Sequence, residues 1–351
     1  MSDLDQTAQQ TKQSTVDDRG PRYRPHFLIT IDTEGDNLWS APREITTENA
    51  AYLSRFGSLC ESYGLKPTYL VNYEMAKSSV FVDFGKDILH RKTAEIGMHL
   101  HAWNTPPLVP LTPDDFKFLP YLFEYPANVM GEKVRVMTEL LENIFEVEIT
   151  SHRAGRWGFN EVYAQILIEN GYCVDCSVTP HLSWSENLGD PQQAGGTDYS
   201  HFPDEAYFLD PSDLSRHGVS SLLEIPVTIF SAQNTFRRLL HFALGKIPRV
   251  RTLVNQYFPL VCWLRPNGKN RRHMLDLVRR AVRENGPYLQ FILHSSELMP
   301  GGSPFFPTAR SIETLYADLN VLFELASQTC QAATLQEFHQ RFLENQRRNR
   351  V

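Results

Sequence analysis

Short apolar segments alternate with longer amphipathic segments along almost the whole chain, and this alternation limits the fold more than any other feature. The apolar segments have the length of strands, whereas the others repeat apolar residues every three or four positions, as helices do. Strands that alternate with helices imply crossover connections and a mainly parallel sheet. The predicted strands are 26–32, 67–72, 95–101, 151–153, 173–178, 222–229, 288–294 and 331–335, and the predicted helices lie near 47–63, 80–92, 131–147, 159–170, 272–285 and 308–328.

Seven or eight strand–helix units predict an α/β fold, a distorted (β/α)7-type barrel of mainly parallel strands with long loop insertions. Two of these insertions, 104–130 and 181–221, are long enough to be functional loops. Residues 1–24 are polar and predict a disordered tail, which leaves a single folded domain at 25–345. Thr334 and Glu337 form a capping-box pattern that opens a last helix through Leu343.

A basic stretch lies within a chain whose formal net charge is −7. No acidic residue occurs between Glu224 and Asp276, and we expect a basic insertion at about 230–272. The cations in this interval are interleaved with aromatic and aliphatic residues: Arg237, Arg238, Lys246, Arg249, Arg251, Arg265, Lys269, Arg271 and Arg272. Such a surface suits an anionic membrane or glycolipid, which residues 236–272 would contact. A solvated lobe or an oligomer contact is the alternative, and no nucleic acid is expected because no binding motif accompanies the charge.

The rest of the sequence favours a cytoplasmic protein, with peripheral contact at the inner membrane face as the expected use of the basic stretch. The first 25 residues contain no apolar core of a secretory signal, and no apolar run is long enough to span a bilayer. The five cysteines are an odd number in a long chain, which argues against a disulfide framework.

Two pairs of polar residues lie at the carboxyl ends of predicted strands. Asp32 and Glu34 are two residues apart, as are His99 and His101, so each pair lies on one side of an extended chain. Taken alone, the acids read as an exposed loop and the histidines as hydrogen-bonded structural residues. Together, two imidazoles and a carboxylate predict a metal site that leaves positions open for water and substrate. A divalent ion is expected, with zinc favoured by the imidazole ligands.

Three further residues occupy comparable positions. Arg153 ends the fourth predicted strand, where a buried guanidinium needs an anion, although a surface salt bridge is the alternative. Asp175 lies on the fifth strand. His294 ends the seventh, where a proton donor could be placed, although a single histidine there is more often structural.

Five segments, in this order, resemble the polysaccharide deacetylase family, also called the NodB-homology family or carbohydrate esterase family four. They are the strand-end IDTEGD, EIGMHLHAW, SHRAGRWGF, VDCSV and FILHSSELMPGGSPF, and the similarity runs from about Phe27 to Phe338. The similarity is greatest to the WalW-like branch, which is associated with lipopolysaccharide biosynthesis. The combination of IDTEGD and EIGMHLHAW is specific for this family, whereas VDCSV alone is not.

The resemblance implies a distorted barrel that binds one divalent metal and hydrolyses N-acetyl groups from sugars. It implies Asp32 as the catalytic base, Glu34 as the metal-binding acid and His99 as the first metal histidine. Arg153 would orient Asp32, Asp175 would support that network, and His294 would be the general acid.

The sequence also departs from the family pattern. The second metal histidine usually lies four residues after the first, where this chain has Trp103, so His101 is the expected substitute. Thr33 separates the two acids, and Arg153-Ala-Gly-Arg156 replaces the usual arginine–proline motif.

The expected activity is therefore metal-dependent deacetylation of an N-acetylated sugar or glycan in surface-polysaccharide or lipopolysaccharide biosynthesis. A hydrolase of a non-sugar amide on the same fold is one alternative. A catalytically inactive glycan-binding or scaffold protein is another, and it is suggested by the missing histidine at position 103.

Overall fold

A curled, mainly parallel sheet forms the centre of the structure, a computed structural model that describes residues 24–40, 42–231, 239 and 260–349. The strands are β1 His26–Thr33, β2 Pro67–Val71, β3 Glu95–Leu100, β4 Ser151–Ala154, β5 Val174–Asp175, β6 Tyr207–Asp210, β7 Asp213–His217, β8 Leu223–Glu224, β9 Ile229–Ser231, β10 Val261–Trp263, β11 Tyr288–His294 and β12 Gln331–Ala332. Ten of them form one sheet in the order β11-β1-β2-β3-β4-β5-β8-β6-β7, with β12 paired to β1. The pairs from β11 through β8 are all parallel. The predicted barrel-type α/β fold is thereby confirmed.

Helices cover the sheet. They are α1 Leu53–Ser62, α2 Tyr73–Ala76, α3 Ser79–His90, α4 Asp115–Phe118, α5 Ala127–Phe145, α6 Glu161–Glu169, α7 Arg271–Glu284, α8 Ala309–Thr329 and α9 Leu335–Asn349. Short 3₁₀ turns occupy Leu38–Ser40, Glu48–Tyr52, Leu122–Glu124, Gly155–Trp157 and Ser295–Leu298. Every residue of β2, β3 and β4 is buried, as expected for a parallel sheet that is covered on both faces.

The capping box at the start of α9 is confirmed. The Glu337 backbone N–H donates to Thr334 Oγ1 at 3.2 Å, and the Thr334 backbone N–H donates to the Glu337 carboxylate at 3.2 Å. The helix continues six residues beyond the predicted end at Leu343. Its sequence there is polar, so the apolar periodicity that marks a buried helix gives no signal.

The segment 181–221 differs from its prediction as a loop. It contains β6 and β7, an antiparallel pair that extends the sheet beyond β8. Along β6 the residues alternate between buried and partly exposed, the pattern of a sheet edge with one face in the core. The polar residues around this short alternation conceal it in the sequence.

Several predictions concern residues outside the described part of the chain. The polar tail is one, apart from Arg24, and most of the basic insertion is another, since 232–238 and 240–259 are not described. In the described chain the five cysteines are free thiols, in accordance with their odd number. None of the helices in the described ranges has both the length and the apolar character needed to cross a membrane.

Candidate active site

The parallel strands bring the predicted polar residues to one edge of the sheet. Asp32 near the end of β1 is in register with His294 at the end of β11, and His99 on β3 is in register with Arg153 on β4. Since parallel strands end at the same edge, side chains that are far apart in the sequence meet there. The cavity at this edge has a volume of about 310 Å³, and its lining includes Asp32, Glu34, His99, His101 and His294.

Glu34, His99 and His101 form a buried cluster. Their candidate ligand atoms all lie within 4.8 Å of one another. The Glu34 carboxylate is 3.0 Å from His101 Nε2 and 3.5 Å from His99 Nε2, and the two imidazole nitrogens are 2.9 Å apart. His101, two residues after His99, therefore points to the same place although it does not occupy the usual family position.

Burial and neighbouring charges shift the pKa of each residue of the cluster in a different way. Burial would raise the pKa of Glu34, but hydrogen bonds from His101 and His99 outweigh it and hold that pKa well below its usual range. Burial lowers the pKa of His101 to about 4, which leaves a neutral imidazole. His99 Nδ1 lies 3.0 Å from the Arg153 carbonyl oxygen. A carbonyl can only accept, so Nδ1 carries a proton, and Nε2 is the ring nitrogen that faces Glu34 and would bind a metal ion once it is deprotonated. Despite its burial, the pKa of His99 is raised by Asp32 and Glu34.

Asp32 and Arg153 form a buried ion pair beside this cluster. Arg153 Nη1 donates to Asp32 Oδ1 at 2.5 Å, and both side chains are almost fully buried. The guanidinium also donates to Thr30 Oγ1 at 2.8 Å and to the Cys176 carbonyl at 3.1 Å, which fixes its orientation. Burial would raise the pKa of Asp32, but Arg153, with help from His99 and His294, holds it below its ordinary value. Asp32 is therefore a carboxylate with one oxygen directed toward the cavity.

His294 faces both acids, since its Nε2 lies 3.6 Å from Asp32 Oδ2 and 3.9 Å from Glu34 Oε1. Its other ring nitrogen meets Arg265, whose Nη2 is 3.0 Å from His294 Nδ1 and 2.8 Å from Glu297 Oε1. Glu297 is fully buried and also accepts the backbone N–H of His294 at 2.8 Å. An arginine can only donate, so Nδ1 must accept and the proton of His294 lies on Nε2.

Arg265 was not predicted as a site residue. It was grouped with the basic stretch, but its side chain is 18% exposed and holds His294 instead of forming part of a lobe surface. The residues next to Arg265 in the sequence do not indicate this contact with His294, because the carboxylate that pairs with Arg265 belongs to Glu297, 32 residues away and beyond β11. Two other cations of that stretch also form ion pairs within the protein, Arg271 with Asp318 and Arg272 with Asp276.

Replacing Arg265 with methionine is expected to move the His294 proton from Nε2 to Nδ1. Without the arginine donor, Nδ1 is free to donate to Glu297, whose Oε2 lies 3.5 Å away. Long-range ¹H–¹⁵N NMR spectra of the histidine rings distinguish the two tautomers directly. Arg265→Lys, which retains a cationic donor, should keep the wild-type tautomer. An Nε2–H ring in Arg265→Met would show that Arg265 does not set the tautomer.

Asp175 lies outside this arrangement of side chains. Its carboxylate accepts from His152 Nδ1 at 2.6 Å and from the Ser177 hydroxyl at 2.9 Å, and all three residues are buried. The resemblance implied that Asp175 supports the Asp32–Arg153 network. The Asp175 carboxylate makes no hydrogen bond to Arg153 in the described chain, but its negative charge helps to raise the pKa of that guanidinium.

Aromatic residues form the walls of the cavity. Trp39, Trp103 and Trp157 line it, together with Leu38 and Leu119. Trp39 Nε1 donates to Ser296 Oγ at 3.1 Å, which ties this wall to the turn that follows His294. Leu119 belongs to the segment 104–130, which therefore contributes to the cavity wall. Apolar walls with a few convergent polar groups are typical of small-molecule sites.

Solved structures share the fold of this chain, among them two deacetylase candidates, whereas no protein-family model and no curated protein sequence matches it. A candidate polysaccharide deacetylase from Mycobacterium smegmatis aligns over 93% of both chains with a TM-score of 0.50 and 14% identity. A candidate glycoside hydrolase/deacetylase from Parabacteroides distasonis aligns over 92% of this chain and 72% of its own, with a TM-score of 0.57 and 9% identity. At such identities the similarity is one of fold. The chain thus has the same barrel-type fold as these two deacetylase candidates.

Proposed function

We propose that this protein is a metal-dependent deacetylase that hydrolyses the N-acetyl group of a sugar and belongs to the polysaccharide deacetylase family. The observation that carries the proposal is the meeting of three groups in one cavity. They are the Glu34–His99–His101 cluster, the carboxylate of Asp32 held by Arg153, and the Nε2–H of His294. The five sequence segments that resemble the family contain all of these residues.

The donor set fits a divalent metal ion. One carboxylate and two imidazoles are typical zinc ligands, and they leave coordination positions for water and substrate. Glu34, His99 and His101 would hold the ion, which when bound lowers the pKa of a water molecule and polarises the amide carbonyl. The hydrogen bond from His99 Nδ1 to the Arg153 carbonyl is the kind of contact that orients a metal-binding histidine.

The remaining residues divide the proton transfers between them. Asp32, ionised and oriented by Arg153, is placed to take a proton from the attacking water. His294, whose Nε2 lies 3.9 Å from Glu34 Oε1, is placed to give a proton to the departing amine. Arg265 and Glu297 position His294. Asp175 supports β4 through its hydrogen bond with His152. The carboxylate and the imidazole thus face the reacting amide from neighbouring strands.

Release of acetate from N-acetylated sugars, dependent on a bound metal, is the expected result that tests this function. Acetate is measured enzymatically over a panel of N-acetylated sugars and non-sugar acetamides, and bound metal by elemental analysis of the same preparation. A chelator should abolish the release, and added zinc should restore it. Glu34→Gln should lose the metal while remaining folded.

The outcomes separate the alternatives. Release of acetate only from non-sugar acetamides would indicate that the protein is a hydrolase of a non-sugar amide. A folded protein that does not bind metal and does not release acetate would indicate a glycan-binding or scaffold protein and would contradict the proposal.

A role in surface-polysaccharide or lipopolysaccharide biosynthesis is part of the same proposal. It is supported by the similarity of the sequence segments to the WalW-like branch. It accords with a cytoplasmic enzyme held at the inner membrane face by residues 236–272. Most of those residues lie outside the described chain, so the membrane contact rests on the sequence pattern alone.

A further inference from the structure

Arg156 places a positive charge in the active-site cavity without a carboxylate partner. It is one of the residues that line the cavity, and its charge contributes to lowering the pKa of His101. The guanidinium packs over the Tyr121 ring, 4.2 Å from its centroid, and donates to the carbonyl oxygens of Leu119 and Leu188. Within the described chain it makes no ion pair with an acidic side chain. Burial lowers its pKa, and the opposing effects of Tyr121 and Glu124 do not offset burial.

The backbone at this position is unusual. Arg156 has φ of 54° and Trp157 has φ of 62°, so two consecutive non-glycine residues adopt the left-handed region. Such conformations cost free energy and persist where the surrounding contacts over-determine them, often at ligand sites. Here the turn directly follows β4 and brings both side chains to the cavity wall.

The other charges of the site are already balanced. Arg153 is paired with Asp32, and Arg265 is paired with Glu297. Glu34 is the remaining acid, and its proposed role is to bind a divalent cation. Arg156 is therefore a positive charge beside the reacting centre that forms no ion pair with a carboxylate of the described residues. A partly buried guanidinium is best stabilised by an anionic oxygen group, to which it offers several N–H donors in a planar array.

We propose that Arg156 binds an anionic group, a carboxylate or a phosphate, on the N-acetylated sugar that this site deacetylates. This inference rests on the proposed deacetylase function and specifies its substrate class as an acidic or phosphorylated acetamido sugar. The aromatic walls would enclose the sugar ring, while Arg156 fixes its charged end. The arrangement favours charged over neutral acetamido sugars.

Matched substrates test this preference. N-acetylglucosamine is compared with N-acetylglucosamine 1-phosphate and with N-acetylglucosaminuronic acid, and kcat/KM is measured from acetate release. The wild-type protein should prefer at least one charged sugar, and the better one identifies phosphate or carboxylate as the anion. Arg156→Gln should reduce that preference about ten- to hundredfold, the value of a hydrogen bond to a charged group. Arg156→Lys, which keeps the charge, should retain part of it.

The control is a variant of an arginine remote from the cavity, and each contrary outcome contradicts a different part of the proposal. Arg216→Gln removes an arginine that is 73% exposed and paired with Asp213 away from the cavity, and it should leave the preference unchanged. Equal use of neutral and charged sugars by the wild type would overturn the inference and leave the deacetylase function standing. An equal loss on all three sugars in Arg156→Gln would show a structural role and would also overturn it. No acetate from any sugar would refute the deacetylase function and this inference together.

Discussion

A His294→Gln variant is expected to release acetate with a kcat about 10²–10⁴-fold below that of the wild type. Glutamine has a similar size and can hydrogen-bond, but it cannot transfer a proton to the departing amine. Its introduction leaves the buried Asp32–Arg153 pair and the three metal-binding residues in place, so the fold and the metal content should be retained. The measurement is steady-state acetate release at matched metal loading.

The matched control for this variant is His217→Gln. His217 lies on the edge strand β7, its side chain is 60% exposed, and it is remote from the cavity. This variant should have the kcat of the wild type. If His294→Gln also kept the wild-type kcat, the assignment of His294 as proton donor would be wrong.

An Arg153→Met variant is expected to lose about 3–5 kcal/mol of unfolding free energy, because it leaves the Asp32 carboxylate buried without its cation. Chemical denaturation followed by circular dichroism measures this loss. The double variant Asp32→Asn, Arg153→Met removes both charges and should be more stable than the sum of the two single losses predicts. Additive losses would show that the pair contributes little to stability.

The same variant should have a pH-dependent defect. In the wild type the pKa of Asp32 is lowered by Arg153, so the stability from this pair is present above the unfolded-state pKa and is lost as the pH falls through the folded-state pKa. In Arg153→Met burial should raise the pKa instead, and the folded protein becomes less stable as the pH rises. The difference in unfolding free energy between variant and wild type should therefore shrink toward acidic pH. A difference that is independent of pH would contradict this account.

Most of the regular structure could be predicted from periodicity. The central strands were predicted because a parallel sheet covered on both faces requires mainly apolar segments, such as Phe27–Ile31 within β1, where Thr30 is the one polar residue. The strand pair β6 and β7 could not be predicted, since its alternation of buried and exposed residues is short and lies in a polar segment. Strands β5 and β8 each span two residues, fewer than their apolar segments suggest.

The candidate site was predictable to the extent that strand ends identify it. Asp32, Glu34, His99, His101 and His294 all follow or end apolar strands, and parallel strands end at a common edge. Arg265 could not be predicted, because its role comes from a contact with Glu297 that no local spacing encodes. The proposed role of Arg156 also depends on the tertiary structure, because only the fold shows that its guanidinium has no ion-pair partner among the described residues.

The sequence by itself determined the fold class, the order of the strands along the chain and the residues at their carboxyl ends. It did so because burial on both faces of a sheet leaves a periodic signal in consecutive residues. The tertiary structure alone decided that His101 faces the same point as His99, that Asp175 contacts His152, and that Arg265 fixes the ring of His294. These are contacts between distant segments, and their geometry depends on the register and curl of the whole sheet.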